Sequence, residues 1–314
     1  MKKLLLAIMT LALLVGCQSN PSTESKSESM SFDNYGRKVE ISQTPTKVIT
    51  IGPNCSEVFC ELGLEDLIVG NALDNHSRGP LKQYEEAYAK IPELTYGSPT
   101  RESVLTSGAD FIYGIDWEFG DDGLDVDELA EYGITTYMNR ATTLEETYQE
   151  ITDIGKIFHV EDKAKAFIEK DQQRIQTVEN KVKDQKKVKV LVYDSGGNGI
   201  FTCSGSNYES LLIEKAGGQN IYADQTDAQW ITVSSETTLE RQPDVIVIHD
   251  YDQPSIDAKI KEIKSDPALS QLDCVKNERF VTITLESVLP GVRGAYSIET
   301  LAKGFYPELF KGEE

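Results

Sequence analysis

The chain has two tryptophans, and both stand in polar sequence: Trp117 in Asp116-Trp117-Glu118-Phe119, and Trp230 after Ala228-Gln229. An indole outside an apolar stripe offers a broad rigid face to a planar or macrocyclic ligand, the competing role being packing in a core. There are three histidines. His159 ends a helix, where a cation suits the macrodipole. His76 follows a strand and His249 ends a buried one; two such ligands are too few for direct capture of zinc or manganese. No G-x-S-x-G elbow, P-loop or HExxH is present. Asp194-Ser195-Gly196-Gly197 superficially suggests a nucleophile turn, but spacing assigns it no histidine partner. Binding without catalysis is the chemistry these residues support.

Two glutamates sit in matching contexts, Glu102 in Thr100-Arg101-Glu102-Ser103 and Glu236 in Ser234-Ser235-Glu236-Thr237. Both follow a hydroxyl residue able to cap a helix, and a carboxylate in a first turn is favoured by the dipole. Capping alone would account for them.

The elements that must position these residues alternate. Short apolar strands (Lys47–Ile51, Leu67–Gly70, Asp110–Tyr113, Ile134–Met138) interleave with helices, one carrying the capping box Thr143/Glu146. The stretch from Glu161 to Lys187 has no Gly or Pro and puts Ala164, Ile168, Ile175, Val178 and Val182 on one stripe, with Asp171 in an apolar slot. The strand–helix pattern then restarts at Val188–Tyr193. This predicts an α/β fold: two α/β lobes with mainly parallel central sheets joined by one long α-helix. The boundaries expected are an N-terminal lobe over 31–158, a backbone helix over 159–187 and a C-terminal lobe over 188–314.

The N-terminus carries two lysines, then an apolar run from Leu4 to Val15, too short for a span of about 20 residues. It closes in Leu14-Val15-Gly16-Cys17, which resembles a lipobox. Residues 1–17 are therefore expected to be a lipoprotein signal with Cys17 lipidated, for example by palmitate, and 18–30 a disordered tether. With 314 residues, 39% hydrophobic and 26% charged, the chain has a globular composition. Its net charge of −21 argues against nucleic acid as a partner. Cys55, Cys60, Cys203 and Cys274 show no metal-binding spacing and are expected to be buried thiols, a bridge being the alternative.

Read in order, a set of landmarks emerges. Asp33 with Gly36-Arg37 comes first, then Ser56-Glu57, Leu62-Gly63-Leu64 and Ile68-Val69-Gly70. Glu102 precedes Ala109-Asp110. Ala216-Gly217-Gly218 leads to Asn220-Ile221, Glu236 precedes Pro243-Asp244-Val245-Ile246, and Tyr306-Pro307-Glu308 ends the series. Over nearly all the mature chain this resembles the substrate-binding lipoproteins of bacterial ABC importers, in the iron-siderophore, cobalamin and haem subgroup with a single helix between lobes. The resemblance implies an extracytoplasmic, membrane-anchored, monomeric protein with no intrinsic cofactor. Its partners would be a permease dimer with a cytoplasmic ATPase. Its ligand would be a ferric siderophore, the alternatives being a corrinoid, a haem bound through His76 or a tyrosine, and less so a bare metal ion. It also implies that Glu102 and Glu236 dock on permease arginines and that Arg293 contacts ligand. In open α/β sheets ligands bind at the carboxyl ends of strands. That adds Asn54, Arg78 and Tyr193 to Trp117, Trp230 and Arg293 as expected ligand-binding residues.

Overall fold

The structure, a computed structural model, describes residues 29–120 and 123–312. The apolar leader, Cys17 and nearly all of the expected tether lie outside the described residues. Met30, placed at the end of the tether by the sequence, instead opens a strand. β1 (Met30–Asn34) and β2 (Arg37–Ile41) form an antiparallel hairpin.

The N-terminal sheet follows. β3 (Val48–Ile51) is buried along its whole length, as a strand covered on both faces must be. It turns through Gly52 into α1 (Pro53–Leu62). Gly52 sits at φ 118°, and a Cβ there would fall 2.5 Å from Ile115 Cδ1, so only glycine makes this turn. Next come β4 (Ile68–Ala72), α2 (Glu85–Tyr88), α3 (Arg101–Thr106), β5 (Phe111–Ile115), α4 (Val126–Glu131), β6 (Thr135–Asn139) and α5 (Leu144–Ile157). The four strands are parallel in the order β4-β3-β5-β6. The Thr143/Glu146 capping box that opens α5 is present, with both hydrogen bonds made.

α6 (Glu161–Val182) is the connecting helix. Its 22 residues span about 33 Å at ~1.5 Å per residue. It stops five residues short of the expected end at Lys187. Asp171, the polar residue in the apolar stripe, is 2% exposed. Its carboxylate accepts from the Tyr148 hydroxyl (2.9 Å) on α5 and from the Ala295 amide (3.1 Å) near the start of the last helix. One buried acid thus ties α6 to a helix from each lobe, and the position is polar because it serves amide and phenol donors.

The C-terminal half repeats the plan with β7 (Val188–Tyr193), β8 (Ile200–Cys203), α7 (Tyr208–Lys215), β9 (Gly218–Asn220), β10 (Trp230–Val233), α8 (Ser235–Arg241), β11 (Val245–Asp250), α9 (Ile256–Ser265), α10 (Asp273–Lys276), β12 (Phe280–Thr284) and α11 (Gly294–Phe305). The parallel order is β12-β11-β7-β9, and β8 and β10 form a separate antiparallel ribbon. The lobes have separate cores, but the segment between β12 and α11 crosses over. Leu289 and Val292 pack into the N-terminal core, while Leu285 and Ala295 on either side belong to the C-terminal one. The lobes are therefore joined by α6 and by this second crossing, which the sequence does not reveal. All four described cysteines are buried and unbridged. Among the described residues no helix is long and apolar enough to cross a membrane.

Candidate functional site: the cleft between the lobes

The loops at the carboxyl ends of both sheets face each other across a narrow cleft. From the N-terminal lobe come Trp117, on a single helical turn after β5, Asn139 at the end of β6, and Arg140 and Ala141 just past it. From the C-terminal lobe come Asn207, Tyr208, Gln229 and Trp230; Val288-Leu289-Pro290 of the crossing segment forms the floor. The enclosed cavity is only about 20 Å³, room for about one water, so a macrocycle requires the lobes to part or the indoles to swing. A larger groove of about 860 Å³ lies away from the cleft, between the β1–β2 hairpin and α5.

Two indoles stand at the mouth. Trp117 is 46% exposed, and Trp230 is half-buried and stacked on Phe201 (centroids 5.4 Å apart, planes 17° apart). Polar neighbours alone do not place Trp230 in an element. It lies at the head of β10, two positions along the ribbon from the residue facing Phe201, the diagonal contact such ribbons bring together. Phe201 was missed, because a lone phenylalanine in a short strand normally points into a core. Arg140 was missed too; its guanidinium stands 3.3 Å from Asp116 at the edge of the cleft. Burial raises the pKa of Asp116, which Arg140 partly opposes, and burial also raises that of Glu118.

The remaining expected ligand residues do not join the indoles. Arg293 is 3% exposed. It donates to Glu57 through Nε and through Nη2 (2.8 Å), and to Glu286 (3.1 Å), Ser287 (3.0 Å) and the Gly79 carbonyl (2.9 Å). With its fork filled by protein partners, it is a tie between the lobes. Tyr193 is 1% exposed, packed in the core beneath α9 with its hydroxyl engaged by Glu262. As the last residue of β7 its side chain follows the strand's alternation into that core and away from the cleft. Asn54 is buried and donates to Asn139 Oδ1 (2.9 Å) and the Pro290 carbonyl (2.8 Å), closing the floor. Arg78 donates to Asp250 (2.8 Å) across the far end of the cleft, beside Ser77, which donates to Glu286.

The two glutamates occupy equivalent places. Each is exposed at the second residue of a short helix, α3 or α8, whose cap, Thr100 or Ser234, accepts the amide three residues on. Of the histidines, His159 bonds Thr44 (2.9 Å), His76 stands edge-on to Tyr251, and His249 is fully buried. No group of His, Cys, Asp and Glu among the described residues is arranged to hold a metal ion.

Comparison with known proteins agrees with this geometry. The model of a family described as periplasmic binding protein matches residues 48–286. An uncharacterized ABC transporter substrate-binding lipoprotein, YvrC of Bacillus subtilis, is 24% identical over 97% of this chain and 96% of its own. A vitamin B12-binding protein of Yersinia pestis is 26% identical over 66% of this chain and 70% of its own. The crystal structure of a periplasmic binding protein from Veillonella parvula superposes with a TM-score of 0.79 at 25% identity, covering 89% of this chain and 98% of that one. Two parallel-sheet lobes, a single long helix and a cleft at the strand ends thus belong to a member of the periplasmic binding protein family, a substrate-binding protein of an ABC importer.

Proposed function

We propose that the cleft captures a bulky, flat metal chelate between Trp117 and the Trp230–Phe201 pair, and that a corrinoid fits it best. The observation that carries this is the fate of the arginines. A carboxylate- or catecholate-bearing siderophore, or the propionates of haem, calls for available guanidinium forks. Arg293 is spent on Glu57 and Glu286, and Arg78 on Asp250. Two indoles and the neutral amides of Asn139, Asn207 and Gln229 line the mouth, with the paired Asp116 and Arg140 as its charged groups; that suits an uncharged macrocycle with an amide rim. The vitamin B12-binding relative from Yersinia pestis supports the same reading. Arg140, half-exposed beside Asp116, favours a ferric siderophore as the second reading.

The test is titration with cyanocobalamin and, separately, with ferrioxamine B, followed by tryptophan emission. Saturable quenching by cyanocobalamin at one equivalent, without turnover, is expected. A response to ferrioxamine B alone overturns the corrinoid reading in favour of the siderophore. Delivery goes to the permease and its ATPase. Glu102 and Glu236, exposed and alike in setting, are the docking carboxylates of this proposal. Two engaged lobes gain through effective concentration what single exposed ion pairs lack. Glu102→Ala with Glu236→Ala should leave ligand titrations unchanged and abolish uptake in whole cells; normal uptake by the double variant removes the pair from the interface. In this reading Cys17 carries the acyl anchor that keeps the monomer at the outer face of the cytoplasmic membrane.

A further inference from the structure

Beneath Trp230 lies a buried ionic cluster that ligand capture does not by itself require. His249, near the end of β11, is 0% exposed, and each ring nitrogen faces a carboxylate. Nδ1 is 3.0 Å from Asp194, just past β7, and Nε2 is 3.1 Å from both oxygens of Glu209 on α7. A neutral imidazole has one N–H and one lone pair, so one of these contacts would set a lone pair against a carboxylate; the doubly protonated ring satisfies both. The indole of Trp230 meets this ring edge to face, with centroids 5.9 Å apart and planes 79° apart. Phe201 stacks on the same indole.

We propose that His249 is a positioning residue: as an imidazolium clamped between Asp194 and Glu209, it fixes the plane of Trp230 and so the width of the slot offered to a flat ligand. This rests on the reading of the cleft given above. Other groups face the cluster. Lys259 on α9 donates to the His249 carbonyl (2.7 Å), the Tyr251 hydroxyl donates to Asp194 (3.0 Å), and the Cys203 thiol of β8 lies beside Glu209. Two cations and two carboxylates leave the group neutral, as a buried cluster requires. Burial alone would lower the pKa of His249, but Glu209 and Asp194 outweigh it and raise it to about 9. Burial pushes the Cys203 thiol well up, so it stays protonated, and lowers Lys259 to about 8.

With Trp117→Phe in place, Trp230 is the sole indole, and an imidazolium quenches a neighbouring indole more than an imidazole does. Without ligand, its emission should rise as pH passes through about 9. The rise should vanish on adding His249→Gln and persist on adding Lys259→Met. The same rise in the His249→Gln protein, or none in the parent, overturns the proposal. Should His249→Gln fail to fold, Glu209→Gln is expected to move the midpoint to lower pH, and an unmoved midpoint overturns it equally. In wild-type background at pH 7, His249→Gln should weaken cyanocobalamin binding by about fivefold or more. Unchanged affinity with a lowered melting temperature would show a merely structural role and overturn it. If the wild-type protein ignores cyanocobalamin, the corrinoid reading fails by itself, and the emission measurements still decide whether His249 is the charged ring against Trp230.

Discussion

The mouth of the cleft and its floor are built from opposite materials. At the mouth, Trp117, Trp230 and Phe201 each keep part of their ring surface exposed to solvent. At the floor and far end, Arg293 is buried and donates to the buried carboxylates of Glu57 and Glu286, and Arg78, Ser77 and Asn54 reach across between lobes. The difference separates two jobs. Exposed aromatics have surface left to give to a ligand, whereas a guanidinium whose donors are filled by protein has none to offer. Charged residues that looked like ligand contacts are therefore taken up in holding the lobes, and in the reading proposed above the ligand is left to the aromatic wall.

The largest effect should come from breaking the floor. Arg293→Ala strands two buried carboxylates, and loss of one partner from a buried pair costs about 3–5 kcal/mol. Urea unfolding should show this as a lowered midpoint; a midpoint near wild type would mean that Arg293 is not the tie described. At the mouth, Trp230→Ala should cost over ~1 kcal/mol of ligand affinity, the scale of a truncated interface anchor, with a smaller loss from the more exposed Trp117→Ala. Equal losses of stability from these changes and from Arg293→Ala would erase the distinction between the regions.

A pH series sharpens it further. The folded pKa of His249, about 9, lies above the unfolded value near 6.5. Its stabilisation is complete below about 6.5 and is lost as pH rises through 9. The stability difference between wild type and His249→Gln should therefore shrink from pH 6.5 to pH 10. A constant difference in denaturant titrations would contradict a charged ring, and Lys259, common to both proteins, cancels. The smallest effect is expected from Arg78→Ala. That guanidinium is exposed on the rim, so melting temperature should hold and only the salt dependence of lobe opening should change.

The alternation of apolar strands with helices, the Thr143 capping box and the glycine-free run of α6 were legible because each is a local pattern of period or cap. The sequence likewise singled out Trp117 and Trp230 by their polar neighbours and paired Glu102 with Glu236 by their matching caps. It mistook the end of α6, since Lys183 to Lys187 contain neither Gly nor Pro but are all exposed, with nothing to pack against once Val182 is buried. The Phe201–Trp230 stack depends on strand register, which no local window contains.

Residue types and spacing by themselves determined the number of lobes, their strand–helix order and the rigid connection, because backbone propensity and hydrophobic period act over a few residues. Whether an arginine serves ligand or scaffold was decided only by tertiary structure. Arg293 and Glu57 are 236 positions apart, and the crossing segment that brings them together is set by the packing of Leu289 and Val292 into the other lobe's core. A guanidinium takes its role from the carboxylates within its reach, and reach is a property of the folded chain.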